Sequence, residues 1–233
     1  GASRNAWLHL KHLLITELNS VTDNPVIFDE NTAISGGNFH GQPLALPLDY
    51  SAIAASELGN IADRRIYLSL EGDVIGLPKL LMENAGLYSG FMIPQYTSAA
   101  LVSENKSLCY PASADSIPTS LGQEDHVSMG PFSARKALMI VRNLEQILGI
   151  ELFCATQGFD FRRPLKSSTI LNEVHEYIRS KISFADTDRI FSEDIHVAAE
   201  MIKNKEIVQV VNDICLKENI ELKNEEHELF GIY

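Results

Sequence analysis

The sequence lacks an excess of positive charge. It contains 19 Lys and Arg residues against 31 Asp and Glu residues, which gives a formal net charge of −12 and a pI of about 5.0. A nucleic-acid-binding surface neutralises phosphates with basic side chains, so this balance argues against a nucleic-acid partner. An acidic surface favours solubility and says little about a substrate.

Long hydrophobic runs are also absent. No stretch reaches the roughly 18 apolar residues of a membrane-spanning helix, and Gly1–Asn5 do not have the pattern of a signal peptide. We therefore expect no contact with a membrane. With 45% hydrophobic residues in 233, the chain can still bury a sizeable core. Because it does not begin with Met, we expect it to be processed or cut from something longer.

Cysteine is scarce. The 3 cysteines, Cys109, Cys154 and Cys215, form no Cys-x-x-Cys pair. Cys154 and Cys215 lie in apolar helical contexts, where a free cysteine behaves as a small hydrophobic residue. We expect three free thiols in the reducing environment of the cytoplasm.

Common catalytic fingerprints are missing as well. The sequence contains no Walker or Rossmann glycine motif and no Gly-x-Ser-x-Gly elbow. His9 and His12 lie one turn apart on a predicted helix, but no carboxylate or cysteine is spaced to complete a metal site. We therefore expect no bound metal.

Apolar residues recur at helical spacing along most of the chain, which predicts an all-α fold. Helices are expected at residues 2–18, 47–70, 93–109, 131–157, 166–182, 192–203 and 205–218, with loops at 26–43, 71–90 and 110–123. The one strand expected is short, at residues 26–28. Residues 137–155 are apolar on nearly every side, which indicates burial in a large protein or an oligomer.

Composition changes after Pro164. No proline follows it, Gly231 is the one later glycine, and the last part of the chain is rich in acidic residues. We therefore predict a helical-bundle region at residues 1–163 and an acidic helical region at residues 164–233. Glu225–Glu228 are expected to be solvated or frayed.

The segment Ser35–Pro43 reads Ser-Gly-Gly-Asn-Phe-His-Gly-Gln-Pro. Its three glycines allow the backbone to press closely against a ligand or another subunit while Phe39 and His40 are presented. The alternative is an ordinary glycine-rich turn with Phe39 in the core, and composition alone favours this alternative.

A second polar segment, Gln123–Met129, reads Gln-Glu-Asp-His-Val-Ser-Met. Ser120 and Gln123 have the spacing of a capping box, in which case Glu124 and Asp125 would be surface acids favoured by a helix dipole. In the alternative, Glu124 projects into a cavity, where its carboxylate hydrogen-bonds an imidazole N–H or transfers a proton.

A third segment, Asn19–Pro25, places Asn24 before a proline, where turn formation is its ordinary role. The three segments together resemble the C-terminal half of the histidine ammonia-lyases, members of the aromatic amino acid lyase family. Gly90–Ile93 and Ser103–Lys106 match too, and the resemblance extends from the first residue to about Arg163. It implies that residues 1–163 are the C-terminal part of a long-helix bundle of the fumarase-like type.

The resemblance implies an ammonia-lyase that converts L-histidine to urocanate and ammonia in histidine degradation. It implies that Glu124 is catalytic and contacts the substrate imidazole, that Phe39 lines the substrate pocket, and that Asn24 and Gln123 lie in the same site. Phenylalanine lyases tend to carry an amide where Glu124 stands, which favours histidine, although some tyrosine lyases resemble histidine lyases here.

The family builds a methylidene-imidazolone (MIO) electrophile from an Ala-Ser-Gly tripeptide, which does not occur in this sequence. Its nearest matches, Ala2–Arg4 and Ala112–Ala114, differ in the third residue. We therefore expect this chain alone to be inactive. The resemblance also implies a homotetramer in the intact enzyme. Two alternatives stay open: a non-catalytic helical assembly module, or a fragment of a tyrosine or phenylalanine ammonia-lyase or aminomutase.

Overall fold

The structure is a computed structural model that describes residues 1–72 and 76–221. Within these residues the regular structure is almost entirely helical, so the predicted all-α fold is confirmed. The helices are α1 (Ala2–Leu18), α2 (Gln42–Glu71), α3 (Met92–Leu108), α4 (Gly130–Asp160), α5 (Thr169–Arg179), α6 (Phe191–Lys203) and α7 (Glu206–Lys217). The remaining elements are a hairpin of β1 (Val26–Asp29) and β2 (Thr32–Ile34) and two 3-10 turns at Lys79–Leu81 and Ser120–Gly122.

Helix α2 begins before Pro47, so the predicted start at that residue was wrong. The carbonyl oxygen of Gly41 accepts the N–H groups of Leu44 and Ala45, both at 3.1 Å, and thereby opens the helix. Pro47 lies inside the helix, where its missing N–H removes one backbone hydrogen bond without ending the element. The glycine-rich segment therefore runs directly into the first turn of α2.

The strand predicted at residues 26–28 is present, but its partner β2 was missed. The two strands are antiparallel and pair Val26 with Ile34 and Ile27 with Ala33. Neither strand has a buried face. Without a buried face there is no alternation of apolar and polar residues from which β2 could be predicted.

The described residues divide into two compact units. The first unit contains residues 1–57 and 105–141, and the second contains residues 58–104 and the described residues from 142 onward. Helices α2, α3 and α4 each contribute a segment to both units. The boundary proposed between residues 163 and 164 stays a prediction, and Glu225–Glu228 lie outside the described residues.

The core of the second unit is built around three phenylalanines. The ring of Phe91 lies 4.6 Å from that of Phe153 and 5.3 Å from that of Phe191, measured between centroids. Tilted aromatic pairs at these distances contribute beyond the apolar area that they bury. Helices α5, α6 and α7 pack their apolar residues onto this core, which also contains Ile66 and Ile150 from the long helices.

All three thiols are free in the structure, and Cys154 and Cys215 are buried. Burial raises the pKa of the Cys154 thiol, and the negative charge of Glu151 raises it further. Among the described residues, no helix is long and apolar enough to cross a membrane.

Helices α4 and α6 lie close together at Gly149. A Cβ atom added to Gly149 would lie 2.7 Å from the backbone nitrogen of Ala199 and 2.8 Å from its Cα atom. These are backbone atoms of a packed helix, so they cannot rotate away. A residue without a Cβ atom is therefore required at this contact.

We expect Gly149→Ala to lower the free energy of unfolding by about 1–3 kcal/mol, because the added methyl group forces the two helices apart. Urea unfolding of the 233-residue chain measures the change. Gly158→Ala in the same helix is the matched control, since its Cβ would meet only the side-chain methyl groups of Leu77 at 3.2 Å and Leu81 at 3.7 Å. Equal stability of the two variants would contradict the predicted close contact.

The first unit leaves much apolar surface uncovered. On α4, Phe132, Leu138 and Met139 are each about half exposed, and on α2 Leu46 and Ile53 are exposed to a similar degree. Exposed apolar surface of this extent is typical of a protein–protein interface. The structure thus favours association of this unit with further protein surface.

We expect the isolated 233-residue chain to be helical by circular dichroism and to self-associate in sedimentation experiments. The exposed apolar side chains of α2 and α4 would then be buried between copies. A stable compact monomer at all concentrations tested would contradict this expectation.

Candidate functional site

The segments Ser35–Pro43 and Gln123–Met129 meet in the first unit at His40. The Nε2 atom of His40 lies 2.7 Å from the carbonyl oxygen of His126, and the two imidazole rings stack with centroids 5.3 Å apart. The Nδ1 atom of His40 accepts the backbone N–H of Gln42 at 3.2 Å. A neutral imidazole has one donor and one acceptor nitrogen, so these partners place the proton on Nε2.

The same two segments approach again at Gly41. A Cβ atom added to Gly41 would lie 3.0 Å from the hydroxyl oxygen of Ser128, and one added to Gly130 would lie 3.4 Å from the Gly41 carbonyl oxygen. Small residues therefore allow the first turns of α2 and α4 to begin beside each other.

The loop between α3 and α4 is attached to α2 at Ser113. The buried carboxylate of Asp49 accepts the N–H of Ser113 at 2.7 Å, and the side-chain amide of Gln42 donates to the Ser113 carbonyl oxygen at 3.2 Å. Lys136 of α4 donates to the carbonyl oxygen of Tyr110. These bonds hold the beginning of the loop against α2 and α4.

Two further bridges shape the loop around Glu124. The hydroxyl oxygen of Ser116 accepts the N–H of Val127 at 2.9 Å. Nearer the tip, the N–H of Thr119 donates to the Glu124 carbonyl oxygen at 3.0 Å, and the Thr119 hydroxyl lies 3.4 Å from the Glu124 carboxylate. Thr119 therefore holds the backbone of Glu124 and contacts one oxygen of its carboxylate. Glu124 remains exposed.

The alternative that places a capping box at Ser120 and Gln123 is wrong. Ser120 begins a short 3-10 turn whose cap has no side-chain hydrogen bond, and its φ of 51° is left-handed. Helix α4 begins only at Gly130, and its first turn contains no acidic residue. Glu124 and Asp125 thus precede the helix and are not its dipole-stabilised acids.

Phe39 is 56% exposed, so the alternative that places its ring in the core is wrong. Asn24 is linked to the same segment, because its side-chain oxygen accepts the Ser35 hydroxyl at 2.9 Å and the Gly36 N–H at 3.1 Å. Gln123 is exposed and donates its backbone N–H to the Ser120 carbonyl oxygen. The structure therefore places Asn24, Phe39 and Glu124 on connected segments, with Gln123 beside Glu124.

A cleft of about 510 Å³ lies beside the glycine-rich segment. Its lining residues are Glu17, Ser20, Val21, Gly37, Asn38, His40 and Pro43. None of the four predicted site residues lines it. His40 does, although the sequence predicted no site role for it beyond its place next to Phe39.

No group of three His, Cys, Asp or Glu side chains within the described residues is arranged to hold a metal ion. His9, considered above with His12, instead stacks on Tyr50 and hydrogen-bonds its hydroxyl. The second unit contains a further cavity of about 590 Å³, and none of the predicted site residues lines it.

Comparison with known proteins identifies relatives that cover most of the chain. Residues 1–180 match the family model for aromatic amino acid lyases. Histidine ammonia-lyase of Natranaerobius thermophilus is 50% identical over 210 residues, which are 89% of this chain and 41% of the relative. The chain thus spans about two fifths of the length of this relative.

Solved structures agree in fold. The crystal structure of histidine ammonia-lyase from Trypanosoma cruzi superposes with a TM-score of 0.88 at 43% identity, over 97% of this chain and 47% of that one. Tyrosine aminomutase from Streptomyces globisporus superposes with a TM-score of 0.87 at 35% identity, over 91% of this chain and 41% of that one.

Proposed function

Because the chain belongs to the aromatic amino acid lyase family, we propose that it forms part of the active site of a histidine ammonia-lyase. The reaction is the elimination of ammonia from L-histidine to give urocanate. The observation that carries this proposal is the joining of the Phe39 and Glu124 segments through His40. That contact supports a common site for two residues that are far apart in the sequence.

In this proposal, Glu124 recognises the substrate imidazole. Its carboxylate accepts the imidazole N–H in a charge-assisted hydrogen bond and is also a candidate for proton transfer. The Thr119 hydroxyl contacts this carboxylate from one side only, which leaves acceptor positions for a ligand. Because α4 begins at Gly130, a helix-capping role does not explain the acid.

The other three residues complete the proposed substrate site. Phe39 presents an exposed ring against which the flat substrate ring packs. Asn24 fixes the start of the same segment through Ser35. Gln123 precedes Glu124 and presents an amide to the substrate.

We propose that the MIO electrophile comes from outside these 233 residues, since they contain no Ala-Ser-Gly. Without this tripeptide the chain cannot form the group itself. In this proposal the chain contributes substrate-binding side chains. The exposed apolar faces of α2 and α4 support association of the chain with further protein. That the assembly is a homotetramer is proposed from the family resemblance. The cytoplasmic location expected from the three thiols stays a prediction.

Specific observations favour two other candidates. The similarity to tyrosine aminomutase, at 35% identity, supports a tyrosine substrate. The missing tripeptide supports a helical assembly module without activity of its own. Comparison of histidine, tyrosine and phenylalanine as substrates of the complete protein separates these candidates.

We expect the purified 233-residue chain to produce no urocanate from histidine, because it lacks the electrophile that activates the substrate amine. Urocanate absorbance measures the reaction, and the complete protein serves as the positive control. Turnover by the chain, free of any complete enzyme, would refute the claim. An inactive complete protein would favour the assembly module.

In the complete protein, Glu124→Gln should lower kcat/KM for histidine far more than Asp125→Asn does. Loss of a charge-assisted hydrogen bond costs about 1.5–3 kcal/mol, which corresponds to roughly ten- to a hundredfold in kcat/KM. Steady-state kinetics and the melting midpoint of both variants are compared. Unchanged kinetics for Glu124→Gln would mean that Glu124 does not contact the substrate.

A further inference from the structure

We propose that His40 is a positioning residue, whose imidazole holds the segment carrying Glu124 against the segment carrying Phe39 and so sets the place of the Glu124 carboxylate. This inference rests on the proposed function, because it assigns His40 a part in the same substrate site. His40 itself contacts the protein backbone and acts on the substrate only through Glu124.

The bond from His40 to His126 connects residues 86 positions apart in the sequence. Among the other bonds described for the loop, some are internal, as between Ser116 and Val127, and others run from its beginning to α2 at Ser113 and to α4 at Tyr110. They fix the shape of the loop and the attachment of its beginning. The bond from His40 joins the Phe39 segment to the part of the loop that carries Glu124, whereas the bond from Gln42 joins it to Ser113.

The geometry of the imidazole is determined at both nitrogens. Nδ1 accepts the N–H of Gln42 in the first turn of α2, and Nε2 donates to the carbonyl oxygen of His126. The ring is therefore locked in orientation by a rigid helix end on one side. The fixed ring therefore holds the Gln123–Met129 segment at a set distance from the first turn of α2.

A displacement of the His126 backbone should also displace Glu124, which lies only two residues away in the sequence. Val127 is hydrogen-bonded to Ser116, and Glu124 is hydrogen-bonded to Thr119. The backbone from Glu124 to Val127 is therefore fixed at both ends and has little freedom to absorb a displacement. Misplacement of a substrate-contacting group by about 1 Å can lower a rate on the order of a hundredfold. His40 is thus expected to influence kinetics without touching the substrate.

Three substitutions at His40 separate its hydrogen bonds. His40→Phe keeps a ring of similar shape and removes both bonds. His40→Asn keeps an acceptor for the Gln42 N–H but is too short to reach His126. His40→Gln has an amide N–H that reaches the His126 carbonyl oxygen. His126→Phe is the matched control, because it keeps both a stacking ring and the backbone carbonyl group.

In the complete protein we expect His40→Phe and His40→Asn to lower kcat/KM for histidine about ten- to a hundredfold. His40→Gln and His126→Phe should stay within about threefold of the wild type, since the bond to the carbonyl group is retained. The melting midpoint is measured alongside. Wild-type kinetics for His40→Asn, or equal impairment of the Gln and Phe variants, would overturn the proposal.

A double-mutant cycle with Glu124→Gln identifies the route of the effect. If His40 acts through Glu124, His40→Asn should change kcat/KM less than about twofold in the Glu124→Gln background. A full, multiplicative effect in that background would overturn the positioning role and leave the proposed function intact. If Glu124→Gln alone leaves the kinetics unchanged, the substrate contact of Glu124 fails and the positioning role of His40 fails with it. A complete protein that does not turn over histidine would instead refute the proposed function.

Discussion

The hydrogen bond from the His40 imidazole to the His126 carbonyl oxygen is the constraint on which the candidate site depends. It joins two polar segments that the sequence places far apart. Asn24 and Thr119 extend the connection, since each bonds to one of these segments and shapes its backbone. The close approach of Gly41 to Ser128 brings the same segments together, and the bond from His40 is a direct hydrogen bond between them.

The helices provide the fixed points from which these segments are held. The glycine-rich segment ends at the first turn of α2, and the Glu124 segment ends where α4 begins at Gly130. The close contact of Gly41 with Ser128 keeps these two helix starts side by side. In the second unit, the phenylalanine core stabilises the remaining parts of the same long helices.

The helices could be predicted from the sequence because apolar residues repeat at helical spacing, and α1 was predicted with its observed bounds. Strand β2 could not be predicted, because it has no buried face. The start of α2 was misplaced, because the helix continues through Pro47. The capping box failed because local spacing does not reveal the left-handed backbone at Ser120.

The candidate site was predicted only in part. The resemblance to a family indicated Phe39 and Glu124, whose roles stay predictions, whereas the link between them depends on the non-local contact of His40 with a backbone carbonyl group. No residue pattern encodes the acceptor of such a bond, because every residue has a carbonyl group. Three-dimensional structure was needed to recognise His40.

A crystal structure of the complete protein with bound urocanate tests the central claim most directly. The account predicts that a carboxylate oxygen of Glu124 lies about 3 Å from an imidazole nitrogen of the ligand, with the Phe39 ring against the ligand and the bond from His40 to His126 retained. A ligand bound away from Glu124, with its carboxylate directed into solvent, would contradict the account.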